Sequence, residues 1–404
     1  MVQSMKGVRV LEVAEHTFVP AASAVLSDWG ADIIKVEHAE RGDAMRGLGR
    51  TGVLDLSKGV HVINEHSNRG KRSIGIDIAN PEGRKLIFEL AKTADVFLTN
   101  KLPVKLAKLG IDVDDLRAHN PDIIYVRGTA YGPRGPEAER GGYDMTSFWC
   151  RGGTAAALTH PEYGVAPQAG PAYGDSLGGM TIAGGIAAAL FQRERTGETA
   201  VIDVSLLNMG MWAMSSGIAL SLQTGVPWTS FSMQSGGGNP LTGTYKTKDD
   251  RHICFVMLQA FHYWPDFCAH IEREDLVADS RFDSHENLTA NAATARELIG
   301  EVIATKTLDE WSQRFHTLQG QWTPVKNTLE VAADEQARAN GYMQSAVTAD
   351  GIEFELVASP VQFNEQPTPT WRSPEFNEHG DEILLEIGLD MDQIIELKAC
   401  GAIA

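Results

Sequence analysis

Five short apolar runs punctuate the first 130 residues, and the stretches between them have helical character. The runs are 8–14, 32–37, 73–78, 96–98 and 123–127. The helical stretches are 20–29, 81–93 and 104–109. Pro20 sits where an opening helical turn tolerates proline, and Pro81-Glu82-Gly83 announces the second helix. Strands separated by helices pair in parallel through right-handed crossovers. The expected fold class is therefore α/β, with a Rossmann-like parallel sheet.

Sheets of this kind often bind dinucleotides, using glycines in the first strand-to-helix turn so that backbone can meet a pyrophosphate. Here that turn reads Ala14-Glu15-His16-Thr17-Phe18-Val19-Pro20, without glycine, which argues against a nicotinamide dehydrogenase. Further along, 132–142 reads as a Gly/Pro-rich loop and 176–195 as a long helix rich in glycine and alanine. Each glycine costs a helix up to ~1 kcal/mol relative to alanine, so something is expected to approach this backbone closely. Residues 200–206 read as a strand or a helix start, and 210–235 as a connection. A hairpin is expected from 243–248 and 253–258, with helices at 261–272, 292–305 and 308–318. A strand at 353–358 and a helix pair over 379–400 complete the reading.

With 404 residues and 43% hydrophobic content, the chain can bury the cores of two or three layered domains. No stretch approaches the ~18 consecutive apolar residues of a membrane helix. The first strand begins so early that no room is left for a signal peptide. Cys150, Cys254, Cys268 and Cys400 show no CxxC pair or metal spacing, as expected of a cytoplasmic protein with ordinary thiols and no bound metal. A net charge of −18 disfavours nucleic acid and anionic membranes as partners. Yet residues 67–110 carry nine Lys/Arg against four acids, while 351–404 carry eleven acids against two bases. A local basic region in an acidic protein suits a small polyanionic ligand. For 85–92 a solvated helix with paired charges suits better.

One residue draws attention as a reactive group. Asp175 lies in Gly174-Asp175-Ser176-Leu177-Gly178-Gly179, where a loop gives way to the glycine-rich helix. An Asp there is readily an N-cap. The other reading is a carboxylate ionised by the helix dipole, with Gly178 and Gly179 leaving space for a thioester and free N–H groups for an oxyanion. The local motif leaves both open. There is no G-x-S-x-G elbow, P-loop or H-E-x-x-H. The histidines are dispersed, and Trp149, Trp212, Trp228 and Phe231 read as core or interface.

Taken together, the segments resemble the family III CoA-transferases, which include formyl-CoA:oxalate and carnitine CoA-transferases and are related to α-methylacyl-CoA racemases. The resemblance rests on Gly7-Val8-Arg9-Val10-Leu11-Glu12, Gly30-Ala31-Asp32-Ile33-Ile34-Lys35-Val36-Glu37, Gly42-Asp43 with Arg46, and Lys71-Arg72-Ser73-Ile74. It continues through Ala94-Asp95-Val96, Asn120-Pro121-Asp122-Ile123-Ile124-Tyr125, Gly174-Asp175-Ser176, Arg193-Glu194-Arg195-Thr196-Gly197 and Asp203-Val204-Ser205-Leu206-Leu207. It covers nearly the whole length.

The resemblance implies that Asp175 is the catalytic nucleophile, carrying acyl groups as an anhydride and CoA as a thioester. It implies CoA contacts at His16, Thr17, Phe18, His38, Ile76, Asp77, Ile78, Ala79, Asn100, Lys101, Lys108 and Tyr143. Gly236, Gly237, Gly238 and Asn239 would form a lid, against the plainer reading of a flexible linker. The substrates would be an acyl-CoA and a carboxylic acid, with no tightly bound cofactor. The expected assembly is an interlocked, ring-like homodimer. Its large domain would comprise 1–215 and the C-terminal return 330–404, and a small α+β domain 235–320. Some positions depart from the pattern: Phe18 and Val19 replace small residues, and His38 and Lys101 replace an Arg and an aromatic. Tyr143 stands where racemases carry a histidine base, which disfavours the alternative of racemisation. A non-catalytic acyl-CoA-binding protein is a further alternative. Phe18, Phe148, Trp149 and Phe231 hint at a bulky apolar acyl group.

Overall fold

The computed structural model describes residues 3–51, 59–160, 162–230 and 237–404. The chain divides into two compact units, Met1–Pro227 with Glu335–Ala404, and Trp228–Asp334. The first unit is built on a six-stranded sheet ordered β3-β2-β1-β4-β5-β6, with every pairing parallel. Its strands are β1 (Arg9–Val13), β2 (Asp32–Glu37), β3 (Arg72–Gly75), β4 (Val96–Thr99), β5 (Ile124–Thr129) and β6 (Val201–Ser205). The helices among them are α1 (Phe18–Asp28), α2 (Val62–Asn68), α3 (Pro81–Lys92), α4 (Pro103–Leu109), α5 (Val113–Arg117), α6 (Thr154–Ala157) and α7 (Tyr173–Thr196). α8 (Leu206–Ala213) and α9 (Ser215–Thr224) follow β6.

Alternation along the strands sorts the side chains into two cores, because successive residues point to opposite faces. Val10, Val96, Leu98, Ile124 and Val126 meet Leu26 of α1 and Ile182 and Ile186 of α7. Leu11, Phe97 and Tyr125 face the other way, onto Leu86, Ile87 and Leu90 of α3 and onto Ile383 and Ile394 near the C-terminus. The strand order reverses between β1 and β4. At such a switch point the loops diverge and leave a crevice at the carboxyl ends of the strands.

The glycine-rich helix is explained by its neighbour. A side chain at Gly179 would stand 2.6 Å from the Ala21 Cβ, so α1 and α7 touch almost backbone to backbone. The space foreseen beside Gly179 for a thioester is therefore filled by α1. Other boundaries also differ from expectation. Residues 200–206 are both strand and helix start, with Ser205 ending β6 and capping α8 through Asn208 N. Much of 210–235 is helical, whereas 231–235 lies outside the described residues. β3 ends at Gly75; Ile76 then makes one bridge to Ile403, and Ala404 N donates to Gly75 O.

The second unit holds an antiparallel sheet of β7 (Thr242–Lys246), β8 (His252–Val256) and β9 (Gln321–Pro324). The first two are the expected hairpin. β9 escaped notice because four residues ending in proline do not read as a strand, although an edge position tolerates a residue without N–H. Its aromatic core gathers Phe255, Trp264, Phe267, Trp311 and Phe315. Back in the first unit, β10 (Met343–Val347) pairs antiparallel with β11 (Glu353–Val357). Among the described residues, no helix is long and apolar enough to cross a membrane.

Candidate active site

A cleft of about 740 Å³ runs across the carboxyl ends of β1 to β5. Its wall includes His16 and Phe18 after β1, His38 after β2, and Ile76, Asp77, Ile78 and Ala79 after β3. Asn100, Lys101 and Lys108 follow β4, and Tyr143 and Asp175 complete the set named from sequence. Thr17 is not part of this wall; it is buried just before α1. Glu15, Arg41, Lys105, Tyr131, Arg140 and Asp144 also line the cleft and were not foreseen. Lys105 could have been found, since it lies three residues before Lys108 on one face of α4.

Most of the basic segment 67–110 does not reach this cleft. Arg69 pairs with Asp28, Lys71 with Glu12, and Arg72 with Asp32 and Glu386. Lys85 and Lys92 pair with Glu82 and Glu89 on the surface of α3, as a solvated helix would. Only Lys101, Lys105 and Lys108 of that segment line the wall, joined by Arg41 from the loop after β2. Glu15 stands between two of these cations, 3.7 Å from Lys101 Nζ and 3.6 Å from Arg41 Nη2. Asn100 is occupied with the protein itself. Its amide accepts from Glu15 N at 3.2 Å and donates to Glu15 O at 2.7 Å.

The deep end of the cleft is shaped by Phe18. A Cβ at Gly178 would fall 2.2 Å from the Phe18 ring, and one at Gly128 would fall 3.1 Å from it. The ring thus occupies the gap between β5 and α7 that Gly178 was expected to leave for a thioester. Phe148 and Trp149 are core residues, 1% and 4% exposed, and do not line this cleft. Tyr143 is exposed and meets the His16 ring edge-to-face at 5.7 Å.

Asp175 sits inside the first turn of α7 rather than ahead of it. Its N-cap position is held by Ala172 in the left-handed region, φ 55°, with no side-chain capping bond. The cap comes from elsewhere: Asp144 Oδ2 accepts from Gly174 N at 3.0 Å and from Gln168 Nε2 at 2.5 Å. Ser176 N donates to Ala172 O. The first-turn N–H groups foreseen as oxyanion donors are therefore largely engaged. Ser176 Oγ donates to Ala172 O at 2.9 Å, so its contact with His66 Nε2 at 3.1 Å requires the imidazole to donate. Burial, reinforced by Arg69 and Lys71, pushes the His66 pKa down to about 4, which keeps it neutral in this role.

The electrostatics at Asp175 are the reverse of a simple dipole-stabilised carboxylate. Burial, and after it the charge of Asp144, push its pKa up to about 7. Asp144 is itself raised, chiefly by burial, against hydrogen bonds from Gln168 and the Gly174 and Asp175 amides. A carboxylate poised near neutrality at a cleft floor can be ionised without being strongly solvated. That combination suits a nucleophile.

Among the described residues no group of three or more metal-capable side chains comes together. Gly236 and Phe231 lie outside the described residues. Gly237, Gly238 and Asn239 belong to the second unit, where the Asn239 amide donates to Met257 O at 2.9 Å and accepts from Leu241 N at 2.8 Å.

Comparison with known proteins agrees with this architecture. Residues 5–380 match the family described as CoA-transferase family III. The chain is 29% identical over 398 residues to (R)-2-hydroxy-4-methylpentanoate CoA-transferase of Clostridioides difficile, covering 98% of each protein. It is 31% identical over 394 residues to cinnamoyl-CoA:phenyllactate CoA-transferase of Clostridium sporogenes, covering 97% of this chain and 95% of that one. A crystal structure of a CAIB/BAIF family protein from Brucella suis superposes with a TM-score of 0.79 at 28% identity, covering 96% of this chain and all of the other.

Proposed function

The chain belongs to CoA-transferase family III and is a transferase, and from that premise we propose that it moves coenzyme A from an acyl-CoA to a carboxylic acid through covalent intermediates on Asp175. The observation that carries the proposal is the placement of Asp175: a carboxylate with a pKa near 7 lining the same cleft as Arg41, Lys101, Lys105 and Lys108. The cations suit phosphates, and the half-buried carboxylate suits a thioester.

The cycle balances without an external acid or base. The ionised Asp175 attacks the donor thioester carbonyl, and CoA leaves as thiolate from a mixed anhydride. The thiolate then attacks the Asp175 side-chain carbonyl, releasing the donor acid as carboxylate and leaving an aspartyl-CoA thioester. The acceptor carboxylate attacks that thioester and expels the thiolate again. Finally the thiolate takes the acceptor's acyl group and frees Asp175. In each half of the cycle the thiolate that is expelled is also the nucleophile that completes that half, so an enclosed site that retains the thiolate favours transfer over hydrolysis. Residues 236–239 are assigned the role of a covering loop in this scheme.

An interlocked homodimer is part of the same proposal. It is supported by large apolar side chains left exposed on the first unit: Leu177 and Phe191 on α7, Trp212 on α8 and Leu222 on α9, the last two 80% and 81% exposed. A surface of that kind is ordinarily covered by a partner.

The test is mass spectrometry of the Asp175 peptide after incubation with a panel of acyl-CoA thioesters and trapping with hydroxylamine. Modification at Asp175, absent from Asp175→Ala, is the expected result. An unmodified peptide accompanied by α-deuterium uptake from heavy water would establish racemisation instead.

A further inference from the structure

The β1–α1 turn does without glycine, yet it adopts a conformation that usually calls for one. His16 has φ 67°, in the left-handed region where an L side chain is strained. Its neighbours Glu15 and Phe18 stand with it on the cleft wall. Strain of this kind persists only where the surroundings over-determine it.

Four consecutive backbone groups of the turn are held by side chains from β2 and from the segments that follow β2 and β4. Lys35 Nζ donates to Ala14 O at 3.1 Å. Asn100 brackets Glu15 N and O. Asp43 Oδ1 accepts from His16 N at 3.0 Å and from Met45 N at 2.8 Å. Asp43 Oδ2 lies 2.7 Å from Lys35 Nζ, which closes the ring. Lys35 and Asp43 are 0% and 1% exposed, and Glu12 supports the lysine from below at 2.9 Å. Such a buried pair is held in place, since Lys35 is the cation against the buried Asp43 carboxylate and its removal would leave that charge uncompensated.

We propose that Asp43 and Lys35 are positioning residues that lock the His16 turn in its strained form, preorganising the coenzyme A cleft as glycines do in a dinucleotide-binding turn. The proposal rests on the reading that this cleft takes coenzyme A. Neither residue touches the cleft's reacting end; both act through the backbone of residues 14–16. All three partners of the Asp43 carboxylate are donors. An asparagine there must turn its NH2 either toward His16 N–H and Met45 N–H or toward Lys35, and in both orientations a donor faces a donor.

The experiment is calorimetric titration of the whole protein with free coenzyme A, comparing wild type, Asp43→Asn, His16→Gly and the double variant. Asp43→Asn should weaken binding roughly tenfold, equivalent to about 1.4 kcal/mol. With any acyl-CoA turned over, KM should rise by a similar factor while kcat stays within about threefold. In the His16→Gly background the same substitution should cost less than about threefold, because glycine populates φ > 0 without strain. Equal losses in both backgrounds, or no loss, would overturn the proposal. Wild-type protein that fails to bind coenzyme A would refute the reading of the cleft instead. Should Asp43→Asn not fold, or the wild type not bind, hydrogen exchange of the ligand-free wild type decides. His16 and Met45 amides should exchange slowly; fast exchange would show that the turn is not preorganised.

Discussion

Replacing Gly178 by alanine tests the packing that shapes the deep end of the cleft. The new Cβ would lie 2.2 Å and 2.5 Å from two carbons of the Phe18 ring, against an ordinary contact of about 3.5–4.0 Å. The ring must therefore retreat by more than ~1 Å. Gly128 blocks it on the β5 side, and the Ala21–Gly179 contact resists separation of α1 from α7. Its open direction is into the cleft. Overpacking of a fitted site costs about 1–3 kcal/mol, and the better helix propensity of alanine returns up to ~1 kcal/mol. A net loss of about 1–2 kcal/mol corresponds to a Tm lower by about 2–6 °C for a unit of this size. Thermal unfolding measures the first effect, and the KM for a turned-over acyl-CoA measures the displaced ring. Adding Phe18→Leu should recover most of the stability. A Gly178→Ala protein as stable as wild type, or stabilised by the propensity gain alone, would refute the argument, for the ring would not then rest on the helix.

Asp144→Asn removes the negative charge that helps hold the Asp175 pKa near 7. Asp175 must be ionised to attack, so the acid limb of kcat/KM should move to lower pH, part of the way only because burial remains the larger cause; an unmoved limb would deny the coupling. Lys71 is pushed down to about 7 by burial, with Glu12 opposing and Lys35 adding to the shift. Its unfolded pKa is higher, so the unfolded chain binds more protons between pH 7 and about 10 and stability from this group rises with pH across that window. The Tm of Lys71→Met should lack this rise, and parallel pH profiles for the two proteins would contradict it. At Gly184, on the exposed face of α7, an added Cβ meets nothing within 4 Å. Gly184→Glu should therefore spare the fold of the protomer and lower the oligomer mass seen by light scattering; an unchanged mass would remove this face from the proposed interface.

The first five strands of the large sheet are legible because each is a short apolar run bounded by a helix, a pattern that survives without knowledge of neighbours, whereas β6 reads equally as a helix start. The start of α7 was not legible. It lies at Tyr173 because Asp144, about thirty residues upstream, caps it, and no local motif carries that information. Glu12, Lys35 and Lys71 are fully buried within or beside central strands, where a charged residue reads as solvent-facing until its partner is known. Asn100 was read as a ligand contact, and it does line the cleft, but its amide is spent on Glu15. The small residues of α7 do mark a close approach. The approaching body proved to be α1, which only the strand order could have said.

The edge of β3 has a consequence for how the protein is made. Gly75, Ile76 and Asp77 find their partners in Ala404, Ile403 and Ala402, residues synthesised more than 300 positions later. At a ribosomal rate of roughly 5–20 residues per second, the strand edge waits on the order of 15–65 s for its cover. The inserted segment 228–334, with its own aromatic core, emerges during that wait and can collapse independently. A nascent chain of this design spends its biosynthesis with an unpaired sheet margin, the form most open to wrong pairing and to holding by chaperones.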